Sequence, residues 1–213
     1  MRRTKVFSDL RWRRFATGTA AAAVLAAAAP SSAEAVTPDL DPQHARSAVR
    51  SGSLGPLTAL AVQRILLGDK VAAAKFGTDQ PIDDPVRERQ ELDAVAAMAS
   101  RAGVDPDASV RFFRAQIEAN KVVQRGLYAL WTEHPELRPG ERPDLDGEVR
   151  PELDQITTEI VRQLKATQEV RADTAGCRVL LLEAQLAAEV RFRLDALHRK
   201  ALTVALRTVC TSS

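Results

Sequence analysis

The chain has 213 residues with 30 basic and 28 acidic side chains, a formal net charge of +2. Its first 35 residues carry 6 of the basic and 2 of the acidic groups, so the remaining 178 hold 24 against 26 and are slightly acidic. That balance excludes nucleic acid or an acidic membrane surface as a partner, and 178 residues suit one domain with a sizeable core.

The N-terminal segment reads as an export signal. Arg2, Arg3, Lys5, Arg11, Arg13 and Arg14 make a basic region, an apolar run follows from Ala20 to Ala29, and Ala33-Glu34-Ala35 matches a small-x-small cleavage site. The apolar run is too short to span a bilayer. Cleavage after Ala35 is predicted, giving an exported protein, periplasmic or secreted, with no membrane attachment once the signal is gone. Residues 36–53 are a polar, proline-containing lead-in, and the domain is predicted to span 54–213.

Strand alternation is absent and helical periodicity runs almost throughout, which predicts an all-α, single-domain multi-helix bundle. A first helix is predicted from Leu54 toward Phe76, with Leu57, Leu60, Ala61, Ile65 and Ala72 as apolar positions, and Gln80-Pro81 ends it. Asp84-Pro85 reads as the cap and first-turn proline of a second helix reaching Arg101. After a turn at residues 103–107, Asp107 is predicted to cap a third helix that runs to His134. Its apolar positions are Val110, Phe113, Ile117, Val123 and Leu127. Pro135 to Gly147 holds three prolines and two glycines and reads as a loop. A fourth helix is predicted from Glu148 to Ala172, and a fifth begins near Arg178 with Leu182, Leu186, Val190, Leu194 and Leu197 as its buried stripe.

Cys177 and Cys210 are the only cysteines, and an even count in an exported chain favours one disulfide over two free buried thiols. A continuous helix between them would hold the sulfurs out of reach of each other. The last helix must therefore break, bend back, or end well before Cys210. His44, His134 and His198 show no ligand spacing with each other or with cysteine, so no metal site is expected.

One set of polar residues does not suit a core. Arg64 and Lys75 are eleven residues apart, which returns them to nearly the same helix face about 16 Å along the axis. Asp84, Arg87 and Glu88 follow in the run PIDDPVRE, and Asn120 and Gln124 lie one turn apart. Singly these would be surface decoration or, for Asp84, a helix cap. Together they read as a cage for a small dianion.

This pattern of Arg64, Lys75, Asp84, Arg87, Glu88, Asn120 and Gln124 resembles the all-helical AroQ class of chorismate mutases. The signal peptide, the helix after the proline-rich loop and the cysteine pair resemble its exported subclass. The resemblance covers Leu57 to Cys210. It implies an isomerase of the shikimate pathway that rearranges chorismate to prephenate without metal or cofactor, as a homodimer with each active site inside one chain. It assigns Arg64 to a substrate carboxylate, Lys75 and Gln124 to the breaking ether oxygen, and Arg87 with Asp84 to the carboxylate and hydroxyl groups. Glu88 is assigned to the ring hydroxyl, with Glu91 one turn on as a substitute. Asn120 stands where the family usually has a small hydroxyl residue and is assigned to a carboxylate. The exported subclass also supplies an arginine just before an apolar-Asp pair. Arg150, ahead of Leu153-Asp154, fits that place, with Arg142 and Arg138 as alternatives. Two rival readings are an exported helical module that binds a chorismate-like diacid without turnover, and a helical interaction protein on which these residues only decorate the surface.

Overall fold

A computed structural model describes residues 53–210. The predicted export signal and all of the lead-in except Ser53 lie outside the described residues. Among those described, every regular element is helical: α1 (Gly55–Lys75), α2 (Pro85–Ala102), α3 (Pro106–Glu133), α4 (Arg150–Ala166), α5 (Ala175–Arg191) and α6 (Ala196–Leu206). A short 3-10 turn (Pro135–Leu137) and a π-helical turn (Leu145–Val149) lie between α3 and α4.

Helix α1 is the centre of the bundle, packing against α3, α4, α5 and α6. Its apolar residues circle the helix instead of forming one stripe, which is the pattern of a helix enclosed on several sides. Leu57, Ala61, Val62 and Ile65 are at most 1% exposed. Each large aliphatic side chain buried this way contributes about 1.5–3 kcal/mol. Because α1 is enclosed, Arg64 is enclosed with it, and a buried guanidinium must find partners.

Helix α2 closes against α3 and α4, and α3 also packs along α6. The α3–α6 contact is close because residue 126 is glycine: a Cβ there would sit 2.5 Å from Leu197 Cδ1. Gln116 fixes the register of the same pair by donating from Nε2 to the Ala205 carbonyl at 2.9 Å.

Several boundaries differ from expectation. Asp105, not Asp107, caps α3: its Oδ1 accepts from the amides of Asp107 and Ala108 at 2.8 and 3.2 Å. Pro106 has no N–H to satisfy and so suits the first helical position. The fourth helix ends at Ala166, six residues early. There Arg171 folds back, donating from Nη2 to the Leu164 carbonyl and from Nε to Thr167 Oγ1.

The last helix breaks, as the cysteine pair required: α5 ends at Arg191 and α6 begins at Ala196. Arg193 adopts the left-handed conformation at φ 51°, and Asp195 then caps α6 by accepting from the His198 amide at 2.9 Å. This break lets the chain return, and Cys177 and Cys210 form a disulfide with Cα atoms 5.8 Å apart. Leu194 is buried, but Leu182, Leu186 and Val190 are 56, 54 and 80% exposed, so the expected core stripe of α5 lies on the surface. Its helix is instead held from other faces, through Cys177 and Ala188.

Candidate active site

The segment between α1 and α2 folds back over the end of α1. Lys75, at the last position of α1, donates from Nζ to the Pro81 carbonyl at 2.8 Å. Burial lowers its pKa below the usual lysine value and the Arg150 charge adds to that, while Asp84 and Glu88 pull the other way.

Asp84 then caps α2, its Oδ1 accepting from the Arg87 amide at 3.0 Å, and Glu88 reciprocates by accepting from the Asp84 amide at 3.2 Å. This reciprocal cap satisfies amides that the first helical turn leaves unpaired and aims Asp84, Arg87, Glu88 and Glu91 along one side of the bundle.

Helix α3 supplies the opposite wall. Gln124 is 4% exposed and donates from Nε2 to Asn120 Oδ1 at 2.7 Å. Asn120 in turn points Nδ2 at the Arg64 carbonyl, 3.4 Å away. Gly68 of α1 makes room for that amide: a Cβ at Gly68 would approach Asn120 Nδ2 to 3.0 Å. Gln124 Oε1 is buried without a hydrogen-bond partner among the described residues.

Arg64 reaches across the bundle. Its Nη1 donates to Thr157 Oγ1 at 2.7 Å and lies 3.4 Å from the Leu153 carbonyl, both on α4. Its Nη2 donates to Glu91 Oε1 of α2 at 2.5 Å, and the guanidinium carbon lies 5.3 Å from the centroid of the Phe113 ring.

One cavity collects these groups. Arg64 and Lys75 reach it from α1, Asp84, Arg87, Glu88 and Glu91 from the start of α2, and Asn120 and Gln124 from α3. Arg150 completes the set from the first position of α4, where it ion-pairs with Asp146 of the preceding π turn. All nine residues singled out from the sequence therefore line one space. The alternative arginines do not. Arg142 donates to the carbonyls of Ala74 and Phe76, and Arg138 donates to the Trp131 carbonyl and stacks over Phe76.

Sequence reasoning missed Lys121, which also lines the cavity. Its ammonium pairs with Glu88 at 2.9 Å, Glu118 at 3.0 Å and Asp83 at 3.2 Å. Burial would lower its pKa, but the three carboxylates outweigh that and hold it above the ordinary lysine value. Arg125 grips the same Asp83 through both carboxylate oxygens. The N-terminus of α2 is thus tied to α3 by two cations. The spacing of Glu118 and Lys121, and the position of Lys121 beside Asn120, were the available signals. Thr157 was also missed, although it lies seven residues beyond Arg150 and so near the same helix face.

The arrangement suits a small, doubly charged anion. Arg64 and Arg150 reach the cavity from different elements, and Lys75 and Gln124 line it with further N–H donors. Among the described residues, no three His, Cys, Asp or Glu side chains are grouped so as to hold a metal ion.

Residues 57–125 match the family profile described as chorismate mutase type II. A secreted chorismate mutase of Mycolicibacterium smegmatis is 35% identical over 157 residues, covering 74% of this chain and 86% of that protein. A secreted chorismate mutase of Mycobacterium tuberculosis is 28% identical over 160 residues, covering 75% of this chain and 79% of that one. Among solved structures, the chorismate mutase from Burkholderia phymatum superposes with a TM-score of 0.72 at 32% identity, covering 76% of this chain and 98% of its own. That from Burkholderia thailandensis gives 0.70 at 36% identity, covering 74% and 98%.

Proposed function

The chain belongs to the type II chorismate mutase family, and from that membership we propose how its cavity converts chorismate to prephenate. The reaction is a one-step pericyclic rearrangement in which an ether C–O bond breaks as a C–C bond forms. No nucleophile or proton relay is required. The enzyme must hold the substrate's two carboxylates in the compact, reactive conformer and stabilise charge growing on the ether oxygen.

In this reading Arg64 and Arg150 each clamp a carboxylate, using the planar fork that matches carboxylate geometry. Lys75 and the second N–H of Gln124 Nε2 donate to the ether oxygen, so their bonds strengthen as charge develops there. Arg87 and Asp84 lie beside the hydroxyl and carboxylate groups. Glu88 accepts from the ring hydroxyl, with Glu91 one turn on, and Asn120 supplies a further donor. The observation that supports this is the convergence of Arg64, Lys75, Gln124 and Arg150, from three helices, on one cavity.

The protein is read as exported. Two of the relatives described above are secreted chorismate mutases, and the basic and apolar N-terminus suits a signal cleaved after Ala35. The mature lead-in would run over 36–53 and the catalytic domain over 54–213. The protein is read as a homodimer of self-contained sites, and the surface stripe of Leu182, Leu186 and Val190 is apolar area available for such a contact.

The deciding experiment follows the loss of chorismate absorbance with the mature protein. Lys75→Ala and Gln124→Ala are each expected to lower the rate by about 10²-fold or more, the usual cost of deleting a transition-state donor. Two variants as fast as the parent would overturn the assignment.

A further inference from the structure

We propose that Thr157 is a positioning residue for the reaction: its hydroxyl sets the orientation in which Arg64 presents its guanidinium to the substrate. The inference rests on the reading above that Arg64 binds a substrate carboxylate. Thr157 is not among the residues lining the cavity, so its effect passes through Arg64.

The polarity of the contact is fixed. Thr157 Oγ1 donates to the Leu153 carbonyl one turn back at 2.8 Å, which commits its single proton. Only lone pairs remain on that oxygen, and a guanidinium only donates, so the 2.7 Å contact has Arg64 Nη1 as donor and Thr157 as acceptor. Thr157 is 7% exposed and Arg64 6%, so water does not readily replace either partner. The chain of bonds ends on helix backbone, which is the stiffest anchor available to a long side chain.

Three elements therefore hold one guanidinium. Thr157 of α4 takes one edge, Glu91 of α2 the other, and Phe113 of α3 lies against its face. Without Thr157, the short bond to Glu91 would be backed on α4 only by the longer 3.4 Å approach to the Leu153 carbonyl. Thr157 supplies the second short contact that fixes the plane, leaving the remaining N–H groups for the substrate. Bidentate recognition depends on that plane, because both bonds form only when the fork faces the carboxylate squarely. Thr157 also lies seven residues after Arg150 on the same helix, about 10 Å along the axis. The hydroxyl thus ties Arg64 to the same helix that carries Arg150.

The test compares Thr157→Val, which keeps the shape and removes the hydroxyl, with Thr157→Ser, which keeps the hydroxyl. The valine variant is expected to raise KM about 10-fold, the size of one lost hydrogen bond to a charged group, with a smaller change in kcat. The serine variant is expected to recover most of that loss. In an Arg64→Lys background, Thr157→Val should add nothing, because lysine has no Nη1 to orient. If the valine variant does not fold, Thr157→Ala against Thr157→Ser makes the same comparison.

Parent-like KM in the valine variant would overturn the inference, and so would a serine variant as impaired as the valine one. A fall in Tm without a change in KM would reduce Thr157 to packing and also overturn it. Arg64→Ala separates the two layers. An unchanged KM there refutes the carboxylate assignment and this inference with it, whereas a raised KM beside a parent-like Thr157→Val refutes only the role of Thr157.

Discussion

Stability should fall as pH rises through about 9, and His198 should be the reason. This residue of α6 is 7% exposed, and both ring nitrogens face carboxylates: Nε2 lies 2.9 Å from Asp69 Oδ1 on α1, and Nδ1 lies 2.8 Å from Asp195 Oδ1. Only the imidazolium donates from both nitrogens, so the site selects the protonated ring. The Asp69 hydrogen bond is the main cause that raises the pKa from 6.5 to about 9. Burial opposes it, and Asp195 adds to it. The folded-state value exceeds the unfolded one, so the native protein binds the extra proton between them. The stabilisation is complete below the unfolded pKa and is lost as pH climbs through the folded pKa.

At about 1.4 kcal/mol per unit, a shift of this size corresponds to roughly 3 kcal/mol. Asp69 and Asp195 are 44 and 65% exposed, so solvent screening brings the expected contribution to about 2 kcal/mol. Lysines and Tyr128 also titrate at high pH, so the clean quantity is the difference between parent and His198→Gln. Urea unfolding followed by circular dichroism should show the variant about 2 kcal/mol less stable at pH 6, with the gap closing toward pH 10. A gap that stays constant across that range would refute a charged His198 clamp, because a packing defect does not titrate.

Other consequences follow from the same structure. The Cys177–Cys210 bond closes a loop with a sequence separation of 33, so the double Cys→Ser variant should lose about 3–4 kcal/mol in guanidinium unfolding, and a loss below about 1 kcal/mol would count against the loop-closure account. Lys121→Met should leave Asp83, Glu88 and Glu118 repelling one another, costing about 1–2 kcal/mol in denaturation because the carboxylates are partly exposed. Lys121→Arg should recover most of that, and equal losses in both variants would show that the charge is not what matters. Gln124 has no proton to lose, so the rate should stay level from pH ~5 to ~8 and then fall as Lys75 loses its proton. Burial and the Arg150 charge both lower the Lys75 pKa, so Arg150→Gln should move that alkaline fall to higher pH. A fall that stays in place or moves lower would contradict the coupling.

What could be read from the sequence divides along a physical line. The first three helices were legible because their signals are local: Asp84-Pro85 is a cap followed by a proline, α3 carries sustained apolar periodicity, and α1 is a long apolar run ended by Gln80-Pro81. The residues that line the cavity were legible for the same reason, since Arg64 with Lys75 and Asn120 with Gln124 are spacings along single helices. The last third was harder. The cysteine pair required a break somewhere before Cys210, but its place at Arg193 carries no glycine or proline to mark it. Periodicity did reveal an apolar face on α5, but an apolar face does not say what covers it, and Leu186 and Val190 lie at the surface. Which of Arg138, Arg142 and Arg150 lines the cavity depends on the path of the loop before α4, which includes a π-helical turn at Leu145–Val149 that spacing does not reveal.

The residues that spacing could not reveal are those that hold other residues. Lys121 acts on carboxylates 33 and 38 positions earlier, and Thr157 meets Arg64 across 93. Neither pairing leaves a periodic trace. For a rearrangement that needs only fixed donors around a pinned substrate, such supports bear directly on the rate, since a donor displaced by about 1 Å can cost as much as 10²-fold. Arg64 shows how the levels join. The enclosure of α1 puts its charge inside the bundle, burial then demands partners, and the partners it finds on α2 and α4 align its fork. The requirement that a buried charge be satisfied is thus the same requirement that, under the proposed function, makes it a rigid ligand for a carboxylate.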